Sequence, residues 1–188
     1  MLPKFQRKDW DSFNLFKLKG SIAQSIVESI LIKFKYEVYP FGYENYYRSI
    51  VDGISQKSAP VINQMRVMPD LLVYDRNNNR LNFCEVKYTK TKDDQKYWIL
   101  KNALDGYFKY WPSTILVVYR ANNPMILAKN IEEIDKEKLN VVESKNYGEN
   151  YELNLDTFHP FYKYFPNIDK NEYLDYFNKA RVIIKEFE

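Results

Sequence analysis

Apolar residues recur every three or four positions from Ile22 to Phe34, as Ile22, Ala23, Ile26, Val27, Ile30, Leu31 and Phe34. That spacing lines one face of a helix and predicts an amphipathic element opening at Gly20, with Ser21 as its N-cap. Tyr36 to Tyr39 then reads as a strand, stopped by Pro40. Residues 40 to about 64 are the least regular part of the chain, and a connection of that length is either a small helix with its loops or a flap. Ile50, Val51 and Ile54 there suggest a helical turn or two. Leu71 to Tyr74 is an apolar run, Arg76 to Asn79 is turn chemistry and Leu81 to Tyr88 alternates, which together predict a hairpin.

Asp93 and Asp94 make an acidic start for a helix from Gln95 to about Tyr110, closed by Pro112. Thr114 to Tyr119 is apolar throughout, as expected of a strand in the middle of a sheet. Met125 to Ala128 predicts a short strand, Ile131 to Leu139 a short helix, and Asn171 to about Glu186 a closing helix. Phe158, Phe161, Tyr162, Tyr164 and Phe165 cluster before it and read as core packing. The order helix, strand, hairpin, helix, strand predicts an α/β fold, a mixed central sheet flanked by helices with an aromatic-rich C-terminal helical extension. Its 188 residues suit one domain with a sizeable core. That core covers about residues 20–128, and the extension about 129–188.

Composition narrows the chemistry. The single cysteine, Cys84, excludes an internal disulfide and any cysteine-based zinc cluster. The single histidine, His159, excludes mechanisms that need a histidine pair, and among its aromatic neighbours it reads as packed. A net charge of +3 is too small to show nucleic-acid binding, so any basic patch must be local. The 17 Tyr and 12 Phe serve either a wet-edged core or a stacking surface, the core being the default. No apolar run approaches the roughly 18 residues of a membrane span, and the N-terminus lacks a signal-peptide core. A cytoplasmic location with no membrane association is the simplest expectation.

The hairpin carries the candidate chemistry. Glu85 and Lys87, two apart on a strand, share a face, while Cys84 and Val86 point the other way. Pairing of the two strands brings Asp70 beside them. Asp70 and Glu85 offer oxygen ligands for Mg2+ or Mn2+, a cation that takes one or two carboxylates plus waters and phosphate oxygens. Lys87 is placed to orient a water or to stabilise charge on phosphorus. The reaction class this suggests is phosphodiester hydrolysis.

Pro69-Asp70, fourteen intervening residues and then Glu85-Val86-Lys87 resemble the signature of the PD-(D/E)XK nuclease superfamily, the restriction-endonuclease-like fold. The predicted element order over about residues 20–128 is similar to that family's as well. The resemblance implies a metal-dependent nuclease, with DNA the favoured substrate, Asp70, Glu85 and Val86 in the ligand set and Lys87 as catalytic cation. Gly20-Ser-Ile-Ala-Gln24 followed by Tyr36-Glu-Val-Tyr resembles the opening of archaeal Holliday junction resolvases. Their catalytic glutamate falls here on Gln24, and Glu28, one turn later, is an auxiliary acid. Some branches place a glutamine and a tyrosine near the site in the next helix. Gln95 and Tyr97 match them, with Lys90 and Lys92 near the substrate backbone.

Each reading has a bland rival. Asp70 also fits a strand-end cap, Glu85 and Lys87 an exposed ladder pair, and Gln24 with Glu28 the wet edge of a helix. Tyr43, Tyr46, Tyr47 and Arg48 suit a flap that binds DNA, Arg on phosphate and Tyr by stacking, and equally an aromatic plug on the core. A second functional class keeps the fold without catalysis, as a DNA-binding or scaffold component of a mobile-element or viral machine. A third is a protein-interaction module. A two-fold symmetric target would suit a homodimer.

Overall fold

The computed structural model describes residues 7–42, 60–89, 95–120, 126–144 and 148–185. Its helices are α1 (Arg7–Lys33), α2 (Pro60–Arg66), α3 (Lys101–Tyr110) and α4 (Lys170–Lys185). Its strands are β1 (Glu37–Pro40), β2 (Leu71–Asp75), β3 (Arg80–Thr89), β4 (Lys96–Leu100), β5 (Thr114–Arg120), β6 (Ile126–Asn130), β7 (Asn140–Ser144), β8 (Gly148–Asn154) and β9 (His159–Pro160). Six of them form a mixed sheet in the order β1-β2-β3-β5-β6-β9, and the other three a second sheet, β4-β8-β7. Only the β3–β5 pair of the main sheet is parallel. The expected α/β class with a mixed sheet and flanking helices is therefore what the chain adopts.

The main sheet is buried on both faces, which explains why β5 is apolar along its length. One face carries Cys84, Val86 and Tyr88, covered by Ala23, Val27 and Ile30 of α1 and Tyr173 and Phe177 of α4. The other face carries Leu116 and Val118, covered by Leu104 and Tyr107 of α3 and by Tyr151 and Leu153 of the second sheet. Phe161 and Phe165 are fully enclosed in the first layer, so the tail aromatics do pack the core. Gly106 allows α3 to approach the end of α2. A methyl in its place would stand 2.7 Å from Cγ1 of Val67.

The β2–β3 turn is fastened by Asp75, a buried carboxylate. Its Oδ1 accepts from the main-chain N–H of Asn77 at 3.0 Å and from the Asn167 side chain at 3.0 Å. Its Oδ2 accepts from the Asn78 side chain at 2.7 Å. Asn79 takes the left-handed conformation that closes the turn, at φ 49°, one that asparagine adopts more readily than most residues. The Asn167 bond ties this turn to the approach to α4.

Several elements depart from the sequence pattern. α1 begins at Arg7, well before Gly20, so Ser21 lies inside it; the Ser21 hydroxyl donates back to the Lys17 carbonyl at 3.2 Å instead of capping. The single helix expected over Gln95 to Tyr110 is a strand followed by a helix. Tyr97 and Ile99 point inward there while Trp98 and Leu100 are exposed, the two-residue period of β4. Ile131 to Leu139 forms two short 3-10 turns, and the β7–β8 hairpin after them makes the C-terminal extension more than helical. His159 is exposed on β9, its ring 6.4 Å from that of Tyr164, and is not packed away. The expected turns at Ile50, Val51 and Ile54 lie outside the described residues. Among the described residues, no helix is long and apolar enough to cross a membrane.

Candidate active site

Register builds the site. β2 and β3 pair antiparallel with Leu71 opposite Cys84, so the next rung sets Asp70 opposite Glu85. The Asp70 carbonyl accepts from the N–H of Phe41 at 2.8 Å, which carries the β1–β2 pairing one step further and holds Asp70 in line with its strand. Two reciprocal bonds then join the rung. The main-chain N–H of Asp70 donates to Glu85 Oε2 at 3.2 Å, and the main-chain N–H of Val86 donates to Asp70 Oδ2 at 2.8 Å.

Lys87 completes the cluster. Its ammonium pairs with Glu85 Oε1 on the face expected from the alternation, opposite the face of Cys84 and Val86. Glu85 is only 3 % exposed, and Lys87 is half-buried. A charge so enclosed is costly without partners, and this one has three. Besides the Asp70 N–H and Lys87, the buried Tyr107 hydroxyl of α3 hydrogen-bonds the Glu85 carboxylate. Burial pulls the Lys87 ammonium down, but Glu85 foremost, with Tyr107, Asp70 and Tyr97, outweighs it and holds the group well above its ordinary value. Burial also pushes both phenols up, Tyr97 to about 12 and Tyr107 well above its ordinary value, the latter helped by the charge of Glu85.

Asp70, Glu85, Val86 and Lys87 thus meet as the sequence suggested. The other expected residues divide. Tyr97 faces inward from β4 and sits in the electrostatic reach of Lys87. Gln95 is exposed at the foot of β4, where its carbonyl accepts from the Leu155 N–H at 2.7 Å; it is not on a helix. Gln24 and Glu28 are half-buried, one turn apart on α1. That helix covers the face of Cys84 and Val86, so both lie in the layer opposite Glu85 and Lys87, and neither belongs to the bonded cluster. Lys90, Lys92, Tyr43, Tyr46, Tyr47 and Arg48 lie outside the described residues. Tyr107 was legible only as a core position of its helix, since nothing in its spacing marks a hydroxyl aimed at an acid on another element.

The donor set suits a hard divalent cation. Asp70 and Glu85 offer carboxylate oxygens on adjacent strands, with main-chain bonds already fixing one oxygen of each. The N–H and C=O of a strand residue leave the chain on the same side, so the Val86 carbonyl also faces Asp70. Two acids and a carbonyl fit Mg2+ or Mn2+, which keep several waters, better than Ca2+, which takes more protein oxygens. Among the described residues no third acid, histidine or cysteine joins the group.

No protein-family model matches the chain, and no curated protein matches it. Among solved structures, that of a nuclease from a fusselovirus aligns over 100 % of both chains at 14 % identity, with a TM-score of 0.47. This is a distant likeness in the course of the backbone.

Proposed function

We propose that the protein is a metal-dependent nuclease that hydrolyses phosphodiester bonds, with DNA as substrate. The observation that carries this reading is the meeting of Asp70, Glu85 and Lys87 across the β2–β3 rung, two acids and an amine at one point of a sheet. In hydrolysis a water oxygen attacks phosphorus, the bond to the departing ester oxygen breaks, and that oxygen takes up a proton. A Mg2+ or Mn2+ ion held by Asp70, Glu85 and the Val86 carbonyl would lower the cost of making hydroxide from water and offset charge on the phosphoryl oxygens. Lys87 stands beside that place, fixed by Glu85, and supplies a cation to orient the water or a phosphate oxygen. Tyr107 and the Asp70 N–H keep Glu85 in one pose, so little reorganisation accompanies the reaction.

One observation favours a second reading, a nuclease fold that binds DNA without cutting it. The helix position where the resolvase resemblance expects an acid is the neutral Gln24, on the far layer of the sheet. A single experiment separates the two. Incubated with duplex and branched DNA, the wild type should cut with Mg2+ or Mn2+ and leave the DNA intact in EDTA, while Lys87→Ala should bind and not cut. Binding without cleavage by the wild type in every metal would replace the first reading with the second.

A further inference from the structure

The main sheet is incomplete around the rung of Asp70 and Glu85. β2 begins at Leu71, opposite Cys84, and the rung of Asp70 and Glu85 is its last with β3; from Val86 to Thr89, among the described residues, β3 pairs with β5 alone. At this end of the sheet Glu85, Val86, Tyr88 and Thr89 are all buried, between the layer of the acids and the layer of Cys84 and Val86. The far layer belongs to α1. That helix runs antiparallel to β1, because the turn after Lys33 folds back with the Tyr36 N–H on the Leu31 carbonyl. Tyr36 leads into β1, whose Glu37 pairs with Tyr74 and so lies level with Leu81 of β3.

Counting back from Leu31 to Lys19 covers about a dozen residues, or about 18 Å of helix. The same rise takes roughly five or six residues of strand, from the level of Leu81 to that of Val86 or Lys87. Lys19 is therefore level with the site. It is also anomalous: one turn before Ala23 in the apolar stripe of α1, it is only 5 % exposed. Among the described residues no acid or carbonyl engages its ammonium. A lysine so enclosed costs stability unless an anion compensates it, and its long stem can carry the head to the edge of the packed layer. The edge in question is where the parallel strands β3 and β5 end, Thr89 opposite Arg120, and carboxyl ends of parallel strands are where α/β sheets bind ligands.

We infer that Lys19 is a phosphate-binding residue, receiving the nucleic-acid backbone from the α1 side while Lys87 acts from the other. The inference rests on the nuclease reading and adds to it a substrate contact on a helix from which, among the described residues, no side chain is seen in the bonded cluster. Its test measures binding in EDTA, where no cleavage occurs, with a fluorescently labelled DNA duplex over a range of salt. Lys19→Met keeps the buried stem and removes the charge. It should weaken binding several-fold and flatten the dependence of log affinity on log salt by about one unit of slope, the loss of one phosphate contact. Lys19→Arg should bind like the wild type. Lys19→Met should also melt no lower than the wild type, because the charge it removes serves the ligand and not the fold. Wild-type affinity and slope in Lys19→Met would overturn the inference and leave the nuclease reading standing. Failure of the wild type itself to bind DNA would overturn that reading and the inference with it.

Discussion

Asp70 and Glu85 face each other on one rung of the β2–β3 ladder, and the N–H of Asp70 donates to the carboxylate of Glu85 at 3.2 Å. The acids are thus parts of the sheet's bonding as well as candidate ligands. Substitutions must be chosen with both roles in view, because deleting a side chain here also strips a main-chain group of its partner.

Asp70→Asn keeps an oxygen for the Val86 N–H and removes the charge. Cleavage should fall by about 100-fold or more with little change in melting temperature. Asp70→Ala should lose cleavage as well and in addition about 1–3 kcal/mol of stability, because the Val86 N–H is left without its acceptor. Nuclease assays beside thermal melts distinguish the two effects; equal stability of both variants would show that the Val86 bond contributes nothing.

Tyr107→Phe deletes one hydroxyl from the bonds that hold Glu85. A hydrogen bond to a charged group contributes about 1.5–3 kcal/mol, so a loss of that order should appear in urea unfolding. The rate of cleavage should fall with it while DNA affinity in EDTA stays put. A variant that cuts at the wild-type rate would mean that Glu85 is fixed well enough by Asp70 and Lys87.

Gly106→Ala places a methyl within 2.7 Å of Val67. The gain in helix propensity is small beside the overlap, and the variant should be less stable by about 1–3 kcal/mol. Val67→Ala in the same chain should recover part of that loss, which a double-mutant cycle reads directly.

Asp75 contributes to the pH dependence of stability in acid. Burial pushes its carboxyl up, but hydrogen bonds from Asn78, Asn167 and the N–H of Asn77 prevail and hold it below the usual carboxylate range. The folded form therefore releases this proton more readily than the unfolded chain. Its contribution is complete above the ordinary aspartate value of about 4 and is lost as pH falls through the lower folded value. Asp75→Asn should unfold with a shallower dependence on pH below about 4, measured by urea titration at successive pH values. Asp75→Ala should cost about 2–4 kcal/mol at neutral pH, as several donors lose their acceptor.

Gln24→Glu tests the reach of α1. If that position serves the metal, an added carboxylate should lower the Mn2+ concentration needed for half-maximal cleavage, by about threefold or more. An unchanged metal requirement would leave Gln24 as part of the wet edge of α1.

The β2–β3 hairpin was legible because everything it needs is local. A two-residue alternation assigns Glu85 and Lys87 to one face, and Asn-rich turn chemistry sets the register that delivers Asp70. α1 was legible in its apolar stripe and illegible in its start, since Ser21 looks the same at a cap and inside a helix bonding back to Lys17. β4 was misread for a different reason. Asp93 and Asp94 supply a strong helix-start signal, while the alternation from Tyr97 to Leu100 is too short to compete with it. What makes that segment a strand is β8, whose Tyr151 and Leu153 pair with Ile99 and Tyr97 from far along the chain. The same distance hides Tyr107, whose acid partner lies on another element altogether.

Cys84 sits directly behind the acidic rung, fully enclosed, with burial and the nearby negative charges raising its thiol above the ordinary value. Because the sequence holds no other sulfhydryl, a thiol-directed reagent can react at one place only, and only when the layer of α1 and α4 lifts from the sheet or β2 parts from β3. The pace of its modification in native buffer is then a clock for the opening of the core behind the strand pair that carries the acids. Slowing of that clock on adding Mn2+ would register cation capture at Asp70 and Glu85 without any nucleic acid in the tube.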